Sequence, residues 1–293
     1  MIEIRRAVHE DKPRIVEISS KIWDGEDYLP HIFNKWVDEK GGEFSVITVD
    51  GVVAGCAKIT ELPHNVLWLE GIRVDTDYRG RGLGKSLAEY QLKRAKEIGY
   101  EKLELGTFVE NYESIAIIEK RGFERVASFK FLLNPFDDAS VNPNDESITE
   151  VTINPADVIQ VKHISEVPNL LTMLDTENRQ SYTNLDWTFL KCDENHLKEL
   201  IRRGCVYQYK DTVFAFGNWN QKDEGMTIYF MFGEEKREVV TYVLNRAKEL
   251  KVSNVIIMSS EGESEHELLY KNGFIAIAKE VQDVFVYRYK SNG

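Results

Sequence analysis

The sequence predicts an α/β fold of the α+β kind, a mixed twisted sheet flanked by helices, built twice along the chain with a degenerate second copy. Three observations predict this fold. Short apolar or alternating runs, typical of strands, are interleaved with amphipathic runs of helical period. A glycine-rich turn joins one of these strands to a helix at residues 74–86. An order of helix, strand and helix, closed by Gly-Phe, recurs in the second half of the chain.

The better-defined copy occupies residues 1–135. Its strands are predicted from apolar alternation and its helices from apolar residues three and four positions apart, and an Asp-Gly pair at 50–51 marks a hairpin turn. In chain order the predicted elements are a strand at Glu3–Ala7, helices at Lys12–Trp23 and His31–Asp38, strands at Phe44–Val49, Val52–Thr60 and Val66–Val74, a helix at Lys85–Ile98, a strand at Lys102–Gly106, a helix at Tyr112–Lys120 and a strand at Phe123–Leu133.

The segment from Val74 to Ser86 reads Val-Asp-Thr-Asp-Tyr-Arg-Gly-Arg-Gly-Leu-Gly-Lys-Ser and carries the strongest functional signal in the chain. A glycine-rich turn between a strand and a helix leaves backbone N–H groups unpaired at the positive end of the helix dipole. Its three glycines permit backbone angles that a Cβ would hinder. Arg79, Arg81 and Lys85 add positive charge in an acidic chain. The segment therefore predicts a phosphate-binding site.

Several interpretations of this segment compete. A P-loop needs a glycine five places before Gly84, and that position is Arg79. A Rossmann fingerprint needs Gly-x-Gly-x-x-Gly near the first strand, whereas these glycines are two apart and follow several predicted strands. A glycine-rich surface turn without a ligand is a further alternative. The pattern Arg-x-x-Gly-x-Gly after a strand resembles the pyrophosphate loop of the GCN5-related N-acetyltransferases (GNAT), which bind acetyl-CoA.

The surrounding sequence supports the resemblance to the GNAT family. The predicted order of elements over residues 2–135 is similar to the GNAT fold. The segment from Asn111 to Phe123 resembles the second conserved segment of the family, in which an Asn opens a helix and Gly-Phe closes it. The resemblance implies acetyl-CoA as co-substrate and no metal.

The resemblance also implies which residues hold acetyl-CoA. Pantetheine would lie along the strand before the loop like an added β-strand, the loop would take the pyrophosphate, and the head of the later helix would meet the pantetheine arm. The cofactor-binding residues expected on this basis are Ile72, Arg73, Val74, Arg79, Gly80, Arg81, Gly82, Leu83, Gly84, Lys85, Ser86, Asn111 and Ser114.

Glu70 is the predicted catalytic base. Acetyl transfer to an amine requires a group that takes the amine proton. Glu70 lies in an otherwise apolar run, where burial would raise its pKa towards that of a usable base. Glucosamine-phosphate acetyltransferases and other family members present a Glu from this position. A solvent-facing Glu70 without a catalytic role is the alternative, and Glu104 on the next predicted strand is the reserve base.

The chain departs from the family pattern at the general acid. Many GNAT members carry a Tyr four residues before the Gly of Gly-Phe, and here that position is Ile118, while Tyr112 lies one and a half turns earlier. Another group or water then supplies the proton, or the thiolate leaves unassisted, because a free thiol has a pKa of about 8.5.

The acceptor site is expected in the segment between the first two helices. Aromatic rings there could stack on a ring or an ammonium, and carboxylates could pair with a cation. The substrate-binding residues expected are Trp23, Asp27 and Tyr28, with Asp24 and Glu26 beside them. A helix stop at Gly25 followed by a helix start is the alternative. This stretch resembles the histidine N-acetyltransferases, which implies an amino acid such as histidine as acceptor, and no basic group for its carboxylate is evident.

The second half resembles a GNAT domain that has lost its cofactor. Its helix Arg237–Leu250 repeats Tyr, Leu, Arg, Ala, Lys and Glu in register with the helix at Lys85–Ile98. The connection before it is short and acidic, and like charges repel phosphate. The predicted domains are a catalytic, acetyl-CoA-binding domain at 1–135, a polar linker at 136–150 and a degenerate domain at 151–293. Two independent domains are the alternative to a second copy that packs on the first.

Composition sets the broad class of the protein. The 293 residues, 42% hydrophobic and 29% charged, are typical of a globular protein with two domains. No apolar run approaches the roughly 20 residues of a membrane span and no signal peptide is evident, so we expect a cytoplasmic protein without membrane contact. The net charge of −12 disfavours nucleic acid as a partner. Three cysteines without metal spacing suit a reducing compartment. The oligomeric state is not predicted.

The sequence thus predicts an acyltransferase, an N-acetyltransferase that moves acetyl from acetyl-CoA to the primary amine of a small molecule by direct attack. No Cys or Ser lies in a recognisable nucleophile setting, so no covalent intermediate on the protein is expected. Two alternatives remain, a protein or peptide N-acetyltransferase and a regulatory module that binds acyl-CoA without turnover.

Overall fold

The structure is a computed structural model that describes residues 1–22, 25, 27–136, 153–170, 182–185, 187–218, 225–260, 262–279 and 282–290. Apart from its first residue, the predicted linker at 136–150 lies outside the described residues. The chain divides into two compact units. The N-terminal unit contains Met1–Thr107, Asn111–Arg125 and Val286–Gly293, and the C-terminal unit contains Phe108–Glu110 and Val126–Phe285. This division differs from the predicted boundary at residue 135, because the last residues of the chain return to the N-terminal unit.

The N-terminal unit contains the elements predicted for the first copy, with ends shifted by a few residues. They are β1 (Ile2–Arg6), α1 (Lys12–Ser19), α2 (Leu29–Asp38), β2 (Glu43–Val49), β3 (Val52–Leu62), β4 (Val66–Val74), α3 (Leu83–Ile98), β5 (Lys102–Phe108), α4 (Tyr112–Glu119) and β6 (Phe123–Pro135), of which β6 continues into the C-terminal unit. The largest shift is at α1, which ends at Ser19 rather than at Trp23.

The sheet of the N-terminal unit is mixed. Strands β1 to β4 pair antiparallel in chain order, β4 pairs parallel with β5, and the end of β15 (Val284–Tyr289) lies beside β5. Neighbouring residues of a strand face opposite sides of a sheet. Phe44 therefore packs with α1 and α2 on one side, and Ile47 packs with α3 on the other. The sheet is thus covered by helices on both faces, as predicted.

The C-terminal unit repeats the pairing order of the N-terminal one. Its elements are β7 (Ile159–Gln160), β8 (Tyr182–Leu185), β9 (Thr188–Lys191), α5 (Glu194–Arg202), β10 (Val206–Tyr209), β11 (Thr212–Gly217), β12 (Met226–Phe232), α6 (Lys236–Glu249), β13 (Asn254–Ser259), α7 (Glu263–Lys271) and β14 (Ile275–Ala276). Strands β10, β11 and β12 pair antiparallel and β12 pairs parallel with β13, as β2 to β5 do. Helix α6 follows β12 as α3 follows β4, which supports the predicted duplication.

Two properties of the described part of the chain bear on the protein's class. None of its helices is both long enough and apolar enough to cross a bilayer. Its His, Cys, Asp and Glu side chains form no group of three or more that could hold a metal ion.

Candidate active site

The sheet of the N-terminal unit opens between β4 and β5. Among the described residues, the two strands pair from Val66 to Leu69 of β4, opposite Lys102 to Leu105 of β5. Strand β4 continues to Val74 and keeps its antiparallel partner β3 over that stretch. Beyond Leu69, its β5-side edge therefore presents backbone groups that an extended ligand could pair with. The predicted cofactor residues Ile72 and Val74 lie on this segment, and Ile72 is exposed.

A bulge at the start of the opening places Glu70. The register between β3 and β4 shifts between Cys56 and Lys58, opposite Gly71. Gly71 has a φ of +71°, and a Cβ there would lie 2.7 Å from the ring of Trp36. Only glycine combines this backbone angle with so close an approach of the Trp36 ring. Glu70 is consequently fixed at the point where β4 leaves β5.

Glu70 has the surroundings of a catalytic base. Its side chain is half-buried, and its Oε1 accepts a hydrogen bond of 2.5 Å from Thr60 Oγ1. Burial is the largest influence and raises the pKa of Glu70, while the Thr60 hydrogen bond and the charge of Lys58 oppose that rise. A carboxylate with a raised pKa at the mouth of an opening can accept a proton from an incoming group.

Asp75 anchors the start of the glycine-rich loop. Its fully buried carboxylate accepts hydrogen bonds from Arg14, from Lys21 at 3.1 Å and from the backbone N–H of Asp77 at 3.1 Å. Burial would raise the pKa of Asp75, but these hydrogen bonds lower it overall. No local signal in the sequence predicts this anchor, because Arg14 and Lys21 are more than 50 residues away from Asp75 in the chain.

The loop itself leaves the N-terminus of α3 open. Gly80 and Gly82 have φ angles of +75° and +76°, and Gly82 is the N-cap residue without a side-chain cap. The first-turn N–H groups of α3 are therefore available to an anion. Of the residues predicted to hold the cofactor here, Arg79, Gly80, Arg81, Gly82 and Lys85 are exposed, Gly84 and Ser86 are half-buried, and the side chain of Leu83 packs in the core.

A basic groove of 740 Å³ adjoins the loop between α3 and α4. Its charged lining residues are Lys85, Glu89, Lys93, Lys96, Lys120 and Arg121. Five of these six side chains are cationic, in a chain whose net charge is −12. Such a concentration of positive charge favours a ligand with several phosphates.

Helix α4 faces this region without the tyrosine that the family usually provides. Asn111 is its exposed N-cap residue, Ser114 is half-buried and Ile118 is buried. Tyr112 is 66% exposed. The C-terminal strand places a different tyrosine against α4, since the hydroxyl of Tyr287 donates to Glu119 at 2.9 Å. Burial, followed by this hydrogen bond, raises the pKa of Tyr287 to about 12.

The segment expected to bind the acceptor is arranged differently from the prediction. Trp23, Asp24 and Glu26 lie outside the described residues. The buried carboxylate of Asp27 accepts two hydrogen bonds from Arg73, from Nε at 3.0 Å and from Nη2 at 3.1 Å. The cation that Asp27 binds is thus the chain's own Arg73, not an acceptor. The Arg73 side chain is correspondingly turned to Asp27, so only the backbone of this predicted cofactor residue lies along the edge of β4.

Two further side chains, Tyr28 and Cys56, lie near Arg73. The ring of Tyr28 lies 5.5 Å from the Arg73 guanidinium, packs edge-on against Trp36 and is 41% exposed. Burial raises the pKa of Cys56 to about 12. A thiol of that acidity is not a nucleophile near neutral pH.

The reserve base Glu104 has a structural partner. Its buried carboxylate accepts a hydrogen bond of 2.7 Å from Arg288 Nε, and the Nη2 atom lies 2.6 Å away. Glu104 therefore belongs to the pairing of the C-terminal strand with the N-terminal unit, whereas Glu70 lies at the opening.

The sequence comparisons identify one family. The profile of the Acetyltransferase (GNAT) family matches residues 6–123. An N-alpha-acetyltransferase of Saccharolobus solfataricus is 30% identical over 139 residues, which are 43% of this chain and 83% of the relative. The histidine N-acetyltransferase of Xenopus tropicalis is 32% identical over 91 residues, 31% of this chain and only 28% of that relative.

The fold likeness extends over both units. A GCN5-related N-acetyltransferase from Sphaerobacter thermophilus has a crystal structure with a TM-score of 0.63 at 12% identity, covering 98% of this chain and 95% of that one. At this identity the likeness concerns the fold alone.

Proposed function

The chain belongs to the GNAT family of acetyltransferases, and from this premise we propose that it moves acetyl from acetyl-CoA to the primary amine of a small molecule, with Glu70 as the base. The observation that carries the proposal is the position of Glu70. It lies at the first residue after β4 leaves β5, on the strand that runs into the open N-terminus of α3. A candidate base, the part of β4 beyond its pairing with β5 and a candidate phosphate site thus follow one another along one segment.

Acetyl-CoA fits the shape and charge of this segment. Its pyrophosphate would bind the loop between Arg79 and Ser86, and its pantetheine would extend along Ile72 and Val74. The remaining phosphate would find positive charge in the basic groove between α3 and α4. Asn111 and Ser114 at the head of α4 would meet the pantetheine arm from the other side.

The proposed reaction is a direct attack. Glu70 takes a proton from the acceptor amine, the amine nitrogen forms a bond to the acetyl carbonyl carbon, and the bond from that carbon to sulfur breaks. The leaving thiolate takes up a proton from water, because Ile118 offers no hydroxyl at the position that the family uses. A free thiol has a pKa of about 8.5, so this protonation needs no strong acid. The acidity of Cys56 is too low for a covalent route through that thiol.

An amino acid such as histidine is the acceptor we propose. The histidine-acetylating relative suggests this class, and α2 offers a group for the carboxylate. Lys35 is exposed, its charge acts on Glu70, and no ion pair of Lys35 is found in the described part of the chain. The neighbouring acids Asp38 and Glu39 already pair with His9 and Lys58. An amino acid could therefore place its amine at Glu70 and its carboxylate at Lys35.

We propose that the C-terminal unit binds no acetyl-CoA. The N-terminus of α6, which corresponds to that of α3, is filled by the chain itself. The hydroxyl of Thr212 accepts a hydrogen bond from Glu235 N at 2.9 Å and donates to the Glu235 carboxylate at 2.7 Å. Gly233 lies so close that a Cβ would come within 2.3 Å of the Thr212 hydroxyl. A phosphate there would meet a carboxylate in place of free N–H groups.

A peptide N-terminus is the second candidate acceptor, because a relative from Saccharolobus solfataricus is named an N-alpha-acetyltransferase. The test is CoA release from acetyl-CoA with histidine, histamine, other amino acids, polyamines, amino sugars and short peptides. Histidine should react faster than histamine, which lacks the carboxylate. A peptide as the best acceptor would contradict the small-molecule proposal.

Substitution of Glu70 tests the base directly. We expect Glu70→Gln to lower kcat/KM by about 100-fold or more, because a general base contributes a factor of that order. Acetyl-CoA affinity, measured by calorimetry, should not change. Glu61→Gln, an exposed glutamate on the adjacent strand, is the matched control. Equal loss in both variants would contradict the role of Glu70, and tight acetyl-CoA binding without release on any amine would favour the regulatory alternative.

A further inference from the structure

A fully buried lysine lies beside the proposed base. Lys58 on β3 exposes none of its surface. Its Nζ donates a hydrogen bond of 2.9 Å to the carbonyl of Ile59 and lies 2.6 Å from Oε2 of Glu39, the C-cap residue of α2. A buried ammonium is costly even when it is paired, and an apolar residue of similar size is often at least as stable. Stability alone therefore does not explain why a lysine occupies this position in the sheet.

The register of the sheet puts this charge next to Glu70. Lys58 and Glu70 are direct cross-strand partners in the antiparallel pair of β3 and β4. Direct partners project to the same face of a sheet, as do residues two apart on one strand. Thr60, which donates to Glu70, lies two residues beyond Lys58. From the other face, Gln91 binds the carbonyl of Lys58 at 2.8 Å.

The charged groups around Glu70 come from two elements. Strand β3 supplies Lys58, and α2 supplies Lys35 and Glu39. Helix α3 contributes the uncharged Gln91. The N-cap residue of α2, Tyr28, contributes a phenol whose pKa burial raises to about 12, so it adds no charge near neutral pH. Lys35 is exposed, so solvent and salt screen its effect. The Glu39 side chain is 31% exposed and acts in the opposite sense to Lys58. Lys58 is thus the buried cation of the site, and Glu39 is its counter-charge.

We propose that Lys58 is a positioning residue for catalysis, whose buried ammonium, neutralised on one side by Glu39, keeps Glu70 in its ionised, proton-accepting form. The inference rests on the proposed function in that it takes Glu70 as the base. Burial alone would leave Glu70 protonated to a higher pH, and a protonated base cannot accept the amine proton. Lys58 offsets that effect without contact with the substrate.

The pH at which Glu70 titrates should differ in a defined order among the wild type, Lys58→Met and Lys58→Met/Glu39→Gln. In Lys58→Met, Glu70 loses the favourable charge and faces an unneutralised Glu39, so its protonation should move upward by about one pH unit, the usual effect of a nearby charge. In the double variant Lys58→Met/Glu39→Gln both charges are absent. Its Glu70 should titrate above wild type and below the single variant. The double variant also leaves no buried charge without a partner, so it should fold even if Lys58→Met does not.

Two measurements on the full chain test this order. The titration of the Glu70 carboxyl is followed by ¹³C NMR, with Glu70→Gln identifying the signal. The acidic limb of kcat/KM against pH is compared between variants on one amine, so that the amine's own protonation cancels. We expect the midpoint pH of the NMR titration and that of the acidic limb of kcat/KM to rise in the order wild type, double variant, single variant. A merely structural ion pair would change stability and leave both midpoints where they are.

The two proposals fail in different ways. If no amine is acetylated, the proposed function is wrong, while the NMR titration still reports whether Lys58 sets the protonation of Glu70. If wild type and the double variant titrate at the same pH, the role of Lys58 is overturned, whatever the enzyme's activity.

Discussion

Asp27 and Arg73 show how a single pair supports the site. Both side chains are nearly inaccessible, and two hydrogen bonds join them across 46 residues of chain. Arg73 also lies over the ring of Tyr28, which is part-exposed beside the opening. The pair therefore connects the end of β4 to the residues just before α2. Removal of one partner from a buried pair leaves an uncompensated charge.

We expect Asp27→Ala to lower the free energy of unfolding by about 3 kcal/mol, a typical cost of breaking a buried ion pair. The measurement is urea denaturation followed by circular dichroism. Asp38→Ala is the control, because Asp38 pairs with His9 on the surface and its loss should cost less than about 1 kcal/mol. Similar losses in the two variants would show that Arg73 finds another partner.

At the scale of elements, the loop and α3 form the part of the site that depends most on backbone geometry. Gly82 begins α3 and Gly99 ends it, and both have left-handed φ angles, +76° and +86°. A Cβ on either residue would have no other atom within 4 Å. The two glycines are therefore matched in the free space around them but not in backbone angles. Gly82 is left-handed, with ψ of 11°, whereas Gly99 has ψ of 141°, a conformation that is essentially restricted to glycine.

Valine at these two positions should separate binding from stability. A β-branched residue in the left-handed region of Gly82 costs roughly 1–2 kcal/mol, and the angles of Gly99 disfavour a side chain more strongly still. Gly99→Val should therefore lower the melting temperature at least as much as Gly82→Val does. Gly82→Val should also reorient the first-turn N–H groups and weaken acetyl-CoA binding at least tenfold by calorimetry. Gly99→Val should bind as wild type does. Unchanged affinity in Gly82→Val would remove the loop from the proposed cofactor site.

Structural features that depend on short stretches of sequence are the ones that the sequence predicts well. Strand β4, the glycine turn and α3 were predicted within two residues, because apolar periodicity and glycine act over short stretches of chain. The end of α1 was placed four residues too late, since Lys21 beyond it is held by Asp75 and Asp77. The apolar context of Glu70 predicts it as the base, and this role stays a prediction.

The residues that pair with the candidate site residues cannot be predicted from the sequence. The sequence predicts that Asp27 binds the acceptor, whereas in the structure it pairs with Arg73, 46 residues away. Lys58 is not among the predicted site residues, because its place opposite Glu70 follows from the hairpin register that pairs Leu62 with Val66. These pairings are set by the register between strands and by the packing of α2, and neither leaves a periodic signal in one segment.

At the scale of the whole molecule, the chain's last residues belong to its first unit. Three side chains of that stretch pair within the N-terminal unit, Tyr287 with Glu119, Arg288 with Glu104 and Lys290 with Glu124. The backbone N–H of Lys290 also donates to the carbonyl of Gly122 at 2.9 Å. The N-terminal unit is thus completed only when residues 286–290 have been synthesised.

Deletion of residues 286–293 should therefore damage the N-terminal unit, although the deleted stretch lies furthest from it in sequence. Glu104 would be left buried without Arg288, and the buried side chains of Val286 and Tyr287 would be lost. We expect a lower melting temperature and loss of acetyl-CoA binding. Deletion of residues 291–293 alone is the control and should change neither.

Substitutions at the buried ion pair show whether its charges cause the effect. Arg288→Met removes the Arg288 cation from beside the Glu104 carboxylate, whereas Arg288→Met/Glu104→Gln removes both charges from the buried position. The double variant should melt at a higher temperature than the single one, because a buried carboxylate that has lost a charged partner costs more than a neutral side chain there. A deletion protein that melts and binds acetyl-CoA like wild type would show instead that residues 1–125 fold without the C-terminal strand.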